Sequence, residues 1–213
     1  MLMLVKGIPL NPGKLAGVVL MLLLPGSLSC GEGQANGPDG MGGPINAIVE
    51  AARKQVGVTI TYDPAYVALD YPGGDVPREK GVCSDVAIRA LREGRNLDLQ
   101  KLVHEDMKSN FAKYPKIWGL RRPDRNIDHR RVPNLMTYFK RRGYAMPVTQ
   151  KAADYLPGDL VTCTVPPNLP HIMIVSNRRD FRGIPLVLHN IGRGVREEPG
   201  LFPYPLTGHY RVK

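Results

Sequence analysis

The sequence predicts an α+β domain with its helices first and its sheet second, and three observations carry that expectation. Apolar residues recur at helical spacing up to about residue 142. After Pro157-Gly158 they change to short strand-like runs. Throughout, 23 glycines and 20 prolines among 213 residues punctuate the chain with turns.

Pro44 is a favourable first helical residue, and Ile45, Ile48, Val49 and Ala52 follow it at helical spacing, so residues 44–55 read as an amphipathic helix. Val58 to Tyr62 reads as a short extended piece. Asp63 to Gly81 is irregular, broken by Pro64, Pro72, Gly73, Gly74 and Pro77. A second helix is expected from about Cys83, with Val86, Ala87, Ala90 and Leu91 as its inner face and Gly94 as its stop. Leu99, Leu102, Val103, Met107 and Phe111 mark a third helix that ends before Pro115. An Arg- and Pro-rich loop over 115–132 leads into a fourth, from Pro133 to about Arg142. Strands are expected at Leu160–Val165, His171–Ser176, Leu186–His189 and His209–Val212.

Residues 1–29 read as an export signal. Lys6 and Lys14 form a positive region, Leu15 to Leu24 an apolar one, and Pro25-Gly26 break it ahead of Ser27-Leu28-Ser29-Cys30. The apolar run falls well short of the roughly 20 residues a spanning helix needs. Cys30 after a small residue resembles a lipoprotein cleavage box, which leaves a lipid-modified Cys30 and ordinary cleavage both open. Either places the mature protein outside the cytoplasm, in the periplasm or on the outer membrane. Residues 30–43 are a Gly-rich tether without apolar periodicity, and 44–213 form the single folded domain.

The net charge of +10 points to an anionic partner, such as an envelope polymer, an acidic peptide or a lipid headgroup. No RNP, zinc-finger or helix-turn-helix pattern favours nucleic acid, and export argues against it.

Cys83 lies in Gly81-Val82-Cys83-Ser84-Asp85 at the expected start of the second helix. A helix N-terminus favours the thiolate, so the position suits a nucleophile; the plainer reading is an inert buried cysteine. His171 opens an apolar strand directly after Pro170, where a side chain reaches a cleft while the following residues anchor it. His189 ends another strand and Asn190 follows it, so either can fix the tautomer of His171. A Cys83–Cys163 disulfide is the structural alternative for both cysteines; Cys163 is expected instead to be an apolar strand residue. Asp159 is expected to cap the turn before its strand. In the loop 121–131, Asp124, Asp128 and His129 have no diagnostic ligand spacing, and no metal or organic cofactor is expected. The arginines of that loop, Arg125 and Arg130 among them, suit bidentate grip on substrate carboxylates or, equally, an Arg–Asp network that closes the loop.

Tyr71-Pro72-Gly73-Gly74, Cys83-Ser84, Pro157-Gly158-Asp159-Leu160-Val161 and His171-Ile172-Met173-Ile174-Val175, in that order, resemble the NlpC/P60 papain-like cysteine peptidases. The stretches Tyr71–Asp85, Pro123–Leu135, His189–Gly194 and Thr207–Arg211 resemble the bacterial DUF1287 family, over about residues 45–213. The resemblance implies a papain-like fold with helices packed on an antiparallel sheet. It implies Cys83 as nucleophile, His171 as base and His189 as orienter, with a peptidoglycan stem peptide as substrate. Tyr71, Asn190, Arg125 and Arg130 become candidate substrate-binding residues. Val82 stands where the peptidases carry Asp, and Asp85 where they carry Gly. Two rival functions remain: an envelope-binding lipoprotein without catalysis, and a thiol enzyme acting on an ester, lipid or protein side chain.

Overall fold

The computed structural model describes residues 44–213. The expected signal, the tether and Cys30 lie outside the described residues. Four helices, α1 (Pro44–Arg53), α2 (Cys83–Arg95), α3 (Leu99–Asn110) and α4 (Val132–Arg141), precede six strands. The strands are β1 (Ala145–Met146), β2 (Leu160–Val165), β3 (Leu169–Arg179), β4 (Pro185–Asn190), β5 (Val195–Glu198) and β6 (Leu206–Tyr210). They form one antiparallel sheet in the order β1-β6-β2-β3-β4-β5. No described helix is long and apolar enough to cross a membrane.

Alternation along the strands divides the core into two layers. Leu160, Ile172, Ile174, Leu188 and Tyr210 face the helices and pack with Val86, Leu91, Leu135 and Phe139. Val161, Cys163, Met173, Val175 and Val187 face the other way and are covered by Tyr155 and Leu201. Helix α2 runs through the middle of the first layer and is buried from Cys83 to Leu91 without interruption, so it has no solvent face over that stretch. Full enclosure replaces the one-sided apolar stripe that the sequence suggested.

Gly94 does not stop α2. It lies inside the helix, where a Cβ would come within 2.7 Å of the Ala47 and Ile48 backbone, so its role is the close approach of α1. The helix ends instead at Asn96, which takes the left-handed conformation at φ 54°. Strand β5 had no apolar alternation to reveal it, because Val195-Arg196-Glu197-Glu198 is a charged edge strand. The last strand also sits earlier than expected, at Leu206–Tyr210.

The irregular stretch before α2 is held from within by Arg89, a fully buried guanidinium on that helix. It donates to the Asp75 carboxylate, the Thr59 hydroxyl and the carbonyls of Val76 and Lys80. These bonds satisfy backbone groups that an irregular segment cannot pair with itself.

Candidate active site

Cys83 is the first residue of α2, and the local sequence explains why the helix starts there. The N-cap is Val82, whose side chain has no acceptor, so the usual capping bond from that residue is missing. Asp85 compensates by reaching back to accept from the Val82 N–H at 2.7 Å. Arg130 then grips the same carboxylate with both arms of its fork, at 2.8 and 2.9 Å. The two departures from the peptidase pattern, Val82 and Asp85, are therefore one device that moves the capping carboxylate into the helix and ties it to the loop.

That device corrects the expectation that Arg130 binds substrate. Its remaining donors go to the carbonyls of Ala65 and Asp63, and its side chain is buried. Asn190 is corrected likewise. It is fully buried, donates to the Gly81 carbonyl at 2.9 Å and accepts from Gly192 N–H, so it joins the end of β4 to the segment that carries Cys83.

The Cys83 thiol is 4% exposed, and burial pushes it up to about 12, although the backbone N–H groups of Ile172 and Ser84 pull the other way. The expected depression by the helix N-terminus is overturned, because losing water around the sulfur outweighs the helix dipole. At rest the group is a neutral thiol. Cys83 and Cys163 are both buried free cysteines, and Cys163 packs in the layer away from the helices.

His171 and His189 meet across β3 and β4. His171 Nε2 and His189 Nδ1 are 2.8 Å apart, with the rings edge-on. His189 Nε2 lies 3.2 Å from Glu198 Oε1 on β5, a residue sequence reading passed over. Its signal was only one charge in a charged edge strand. Burial brings His171 down to about 3, aided by His189, and lowers His189 as well despite Glu198. No hydrogen bond among the described residues joins Cys83 to His171. The thiol lies against the helix-facing Ile172, whereas the preceding residue, His171, turns its ring toward His189. The two groups open into neighbouring cavities that share Tyr62 and Pro170.

Tyr62 lines both cavities, and Trp118 shares the Cys83 cavity with it. Burial pushes the Tyr62 phenol up to about 12, with the nearby Cys83 adding to the effect. Tyr71, the expected candidate, does not line the Cys83 cavity. It packs edge-on against His104 at 5.3 Å and lies under the Arg125 guanidinium at 5.6 Å. Arg125 in turn lines a separate open cavity with Arg121, Arg122, His104 and Tyr66. Tyr71 and Arg125 are thus brought together, but beside the arginine loop.

Among the described residues no three His, Cys, Asp or Glu side chains converge as metal ligands. Asp128 instead accepts from Asp124 N–H and from Arg131. Asp159 does cap its turn, accepting from Leu156 N–H at 2.8 Å.

Comparison with solved structures finds an N-acetylmuramoyl-L-alanine amidase from Bacteroides uniformis ATCC 8492. It is 10% identical, has a TM-score of 0.50, and the match covers 80% of this chain and 99% of that one. NlpC1 from Trichomonas vaginalis matches at 13% identity and a TM-score of 0.43, over 80% of this chain and 45% of the other. In sequence, the uncharacterized protein YijF of Escherichia coli (strain K12) is 57% identical over 165 residues, 78% of this chain and 80% of its own length. The DUF1287 family, a domain of unknown function, matches residues 49–212. With its helices on an antiparallel sheet and a cysteine at the head of the central helix, the chain has an α+β papain-like fold and belongs to the DUF1287 family.

Proposed function

We propose that the protein is an exported thiol hydrolase that breaks an amide bond in a peptidoglycan stem peptide. The observation that carries this reading is the placing of Cys83 at the head of α2 beside the start of β3, where His171 is paired to His189 at 2.8 Å. The amidase likeness, which concerns the fold, makes peptidoglycan the natural substrate class. Export through the N-terminal segment puts the enzyme where that substrate is.

The Cys83 sulfur attacks the carbonyl carbon as its proton passes to His171 across the rim of Tyr62 and Pro170 that their two cavities share. Because the resting pair is neutral thiol and neutral imidazole, the proton moves during attack and no preformed thiolate is required. The Cys83 N–H, in the first turn of the helix and so without an intrahelical partner, faces the developing oxyanion, with the Tyr62 phenol beside it. The C–N bond then breaks, and His171 returns the proton to the leaving amine. Water attacks the thioester, gives its proton to His171 and releases the acid, which restores the thiol. Arg121, Arg122 and Arg125, which have no carboxylate partner among the described residues, supply the grip on stem-peptide carboxylates.

Digestion of purified peptidoglycan by the wild type and by the Cys83→Ala, His171→Ala and Cys163→Ser variants tests the reading. New stem-peptide fragments should appear by mass spectrometry with the wild type and Cys163→Ser only. One observation favours the binding-module alternative, the burial of the neutral thiol. That alternative stands if Cys83→Ala leaves both binding to peptidoglycan and cellular function unchanged and no fragment is released.

A further inference from the structure

The hydrogen-bond chain does not end at His189. Glu198 Oε1 faces His189 Nε2 at 3.2 Å, and the Arg193 guanidinium lies 3.9 Å from the other carboxylate oxygen. Cross-strand pairing fixes this arrangement. In the β4–β5 ladder His189 pairs with Arg196, so Glu198 stands two residues along the edge strand on the same face as the imidazole.

We infer that Glu198 is a positioning residue that orders the protons of both histidines, so that His171 Nδ1 is left as the bare nitrogen. The inference rests on the thiol–imidazole reading above. An ionised carboxylate only accepts, so His189 Nε2 must carry the hydrogen in that bond. A neutral His189 then presents the lone pair of Nδ1 to His171. His171 Nε2 must donate to it, which leaves the lone pair of a neutral His171 on Nδ1. Without Glu198 nothing distinguishes the two tautomers of His189, and the opposite order would put the hydrogen of His171 on Nδ1, where it blocks proton uptake. The charged and titratable groups facing His189 are His171 on β3, Glu198 on β5 and Arg193 in the turn between β4 and β5.

Two readouts on the full chain test the assignment. In 15N spectra of histidine-labelled protein, each ring nitrogen reports whether it bears a hydrogen. The wild type should show bare Nδ1 at both His171 and His189, whereas Glu198→Ala and the near-isosteric Glu198→Gln should show both tautomers at each. The second readout is the rate of Cys83 alkylation by iodoacetamide between pH 5 and 9, with modification at Cys163 resolved separately by mass spectrometry. Glu198→Gln should lower the rate at pH 7 by about tenfold toward that of His171→Ala. Glu198→Asp, which restores the charge, should recover part of that loss. Unchanged ring-nitrogen patterns in folded Glu198→Gln and Glu198→Ala overturn the assignment. So does an unchanged rate while His171→Ala slows alkylation. If His171→Ala itself leaves alkylation unaltered, the thiol–imidazole reading fails, and the nitrogen pattern alone still decides the place of Glu198.

Discussion

On the sheet face turned away from the helices, His171 and His209 are equally buried but differ in what their ring nitrogens meet. His209 Nε2 lies 2.7 Å from Asp159 and Nδ1 3.1 Å from the Pro147 carbonyl, while Tyr155 stacks on the ring at 4.4 Å. Both ring nitrogens are engaged by partners within the fold, so neither is open to a reaction. Arg211 closes the cluster with two further bonds to Asp159. Burial opposes ionisation of that carboxyl, but Arg211 and His209 hold it below the usual range. His171 has one nitrogen engaged by His189 and no hydrogen bond to the other among the described residues. Two similar side chains are thus separated into a fastener and a candidate base by how many of their nitrogens the fold uses.

The largest expected effects fall on the unsaturated side of this contrast. Cys83→Ala should remove turnover of peptidoglycan, and His171→Ala should lower it by roughly 10²–10⁴-fold, with the urea midpoint of unfolding little changed. Fragment release and urea titration on the same samples measure both. If His209→Ala lowers turnover per folded molecule as much as His171→Ala does, the division between the two clusters is wrong.

Asp159→Ala should cost about 3–5 kcal/mol of stability, because it leaves His209 and Arg211 facing each other without their carboxylate. The reactivity of Cys83 in the remaining folded protein should not move. Equilibrium urea unfolding gives the first quantity and alkylation kinetics the second. A loss of stability below 1 kcal/mol breaks the description of His209 as a fastener.

His129 supplies a third environment, with Nδ1 buried and unpartnered. Burial, aided by Arg130 and Arg92, brings it down to about 4. Between its ordinary 6.5 and that value the unfolded chain binds a proton that the folded chain refuses. Stability contributed by the neutral ring is therefore present above pH 6.5 and lost as pH falls toward 4, by an amount on the order of 3 kcal/mol. His171 pulls in the same direction. Urea midpoints at pH 7 and 4.5 should differ in this sense, and His129→Gln should reduce the difference.

The smallest effect is expected at Cys163, which lies on the same face as both clusters but has no polar task there. Cys163→Ser should cost roughly 1 kcal/mol, from placing a hydroxyl in an apolar layer, and leave Cys83 alkylation as in the wild type. A thermal melt and the same alkylation assay decide this.

Much of the fold was legible before any coordinates, because burial leaves periodic marks. Helices α1, α3 and α4 follow apolar spacing closely, and β2 runs over Leu160–Val165 as expected. The marks fail where polarity or volume does the work: β5 is a strand without apolar alternation, and Gly94 reads as a breaker although it is a packing residue. The site follows the same rule. Cys83, His171 and His189 stand at element ends and can be picked out one by one. Tyr62, Glu198 and the Arg130–Asp85 pair acquire meaning only from neighbours far away in the chain.

By itself, then, the sequence determined which residue types stand where helices and strands begin, because capping, periodicity and turn chemistry act over a few residues. Only the tertiary structure decided what each group is free to do. It left the thiol neutral by enclosing it, bound Arg130 and Asn190 into the scaffold, and put Tyr62 rather than Tyr71 beside Cys83. It also extended the histidine pair to Glu198. The physical reason is that pKa, hydrogen-bond saturation and access depend on desolvation and on partners brought in by other elements, and neither quantity is encoded in local order.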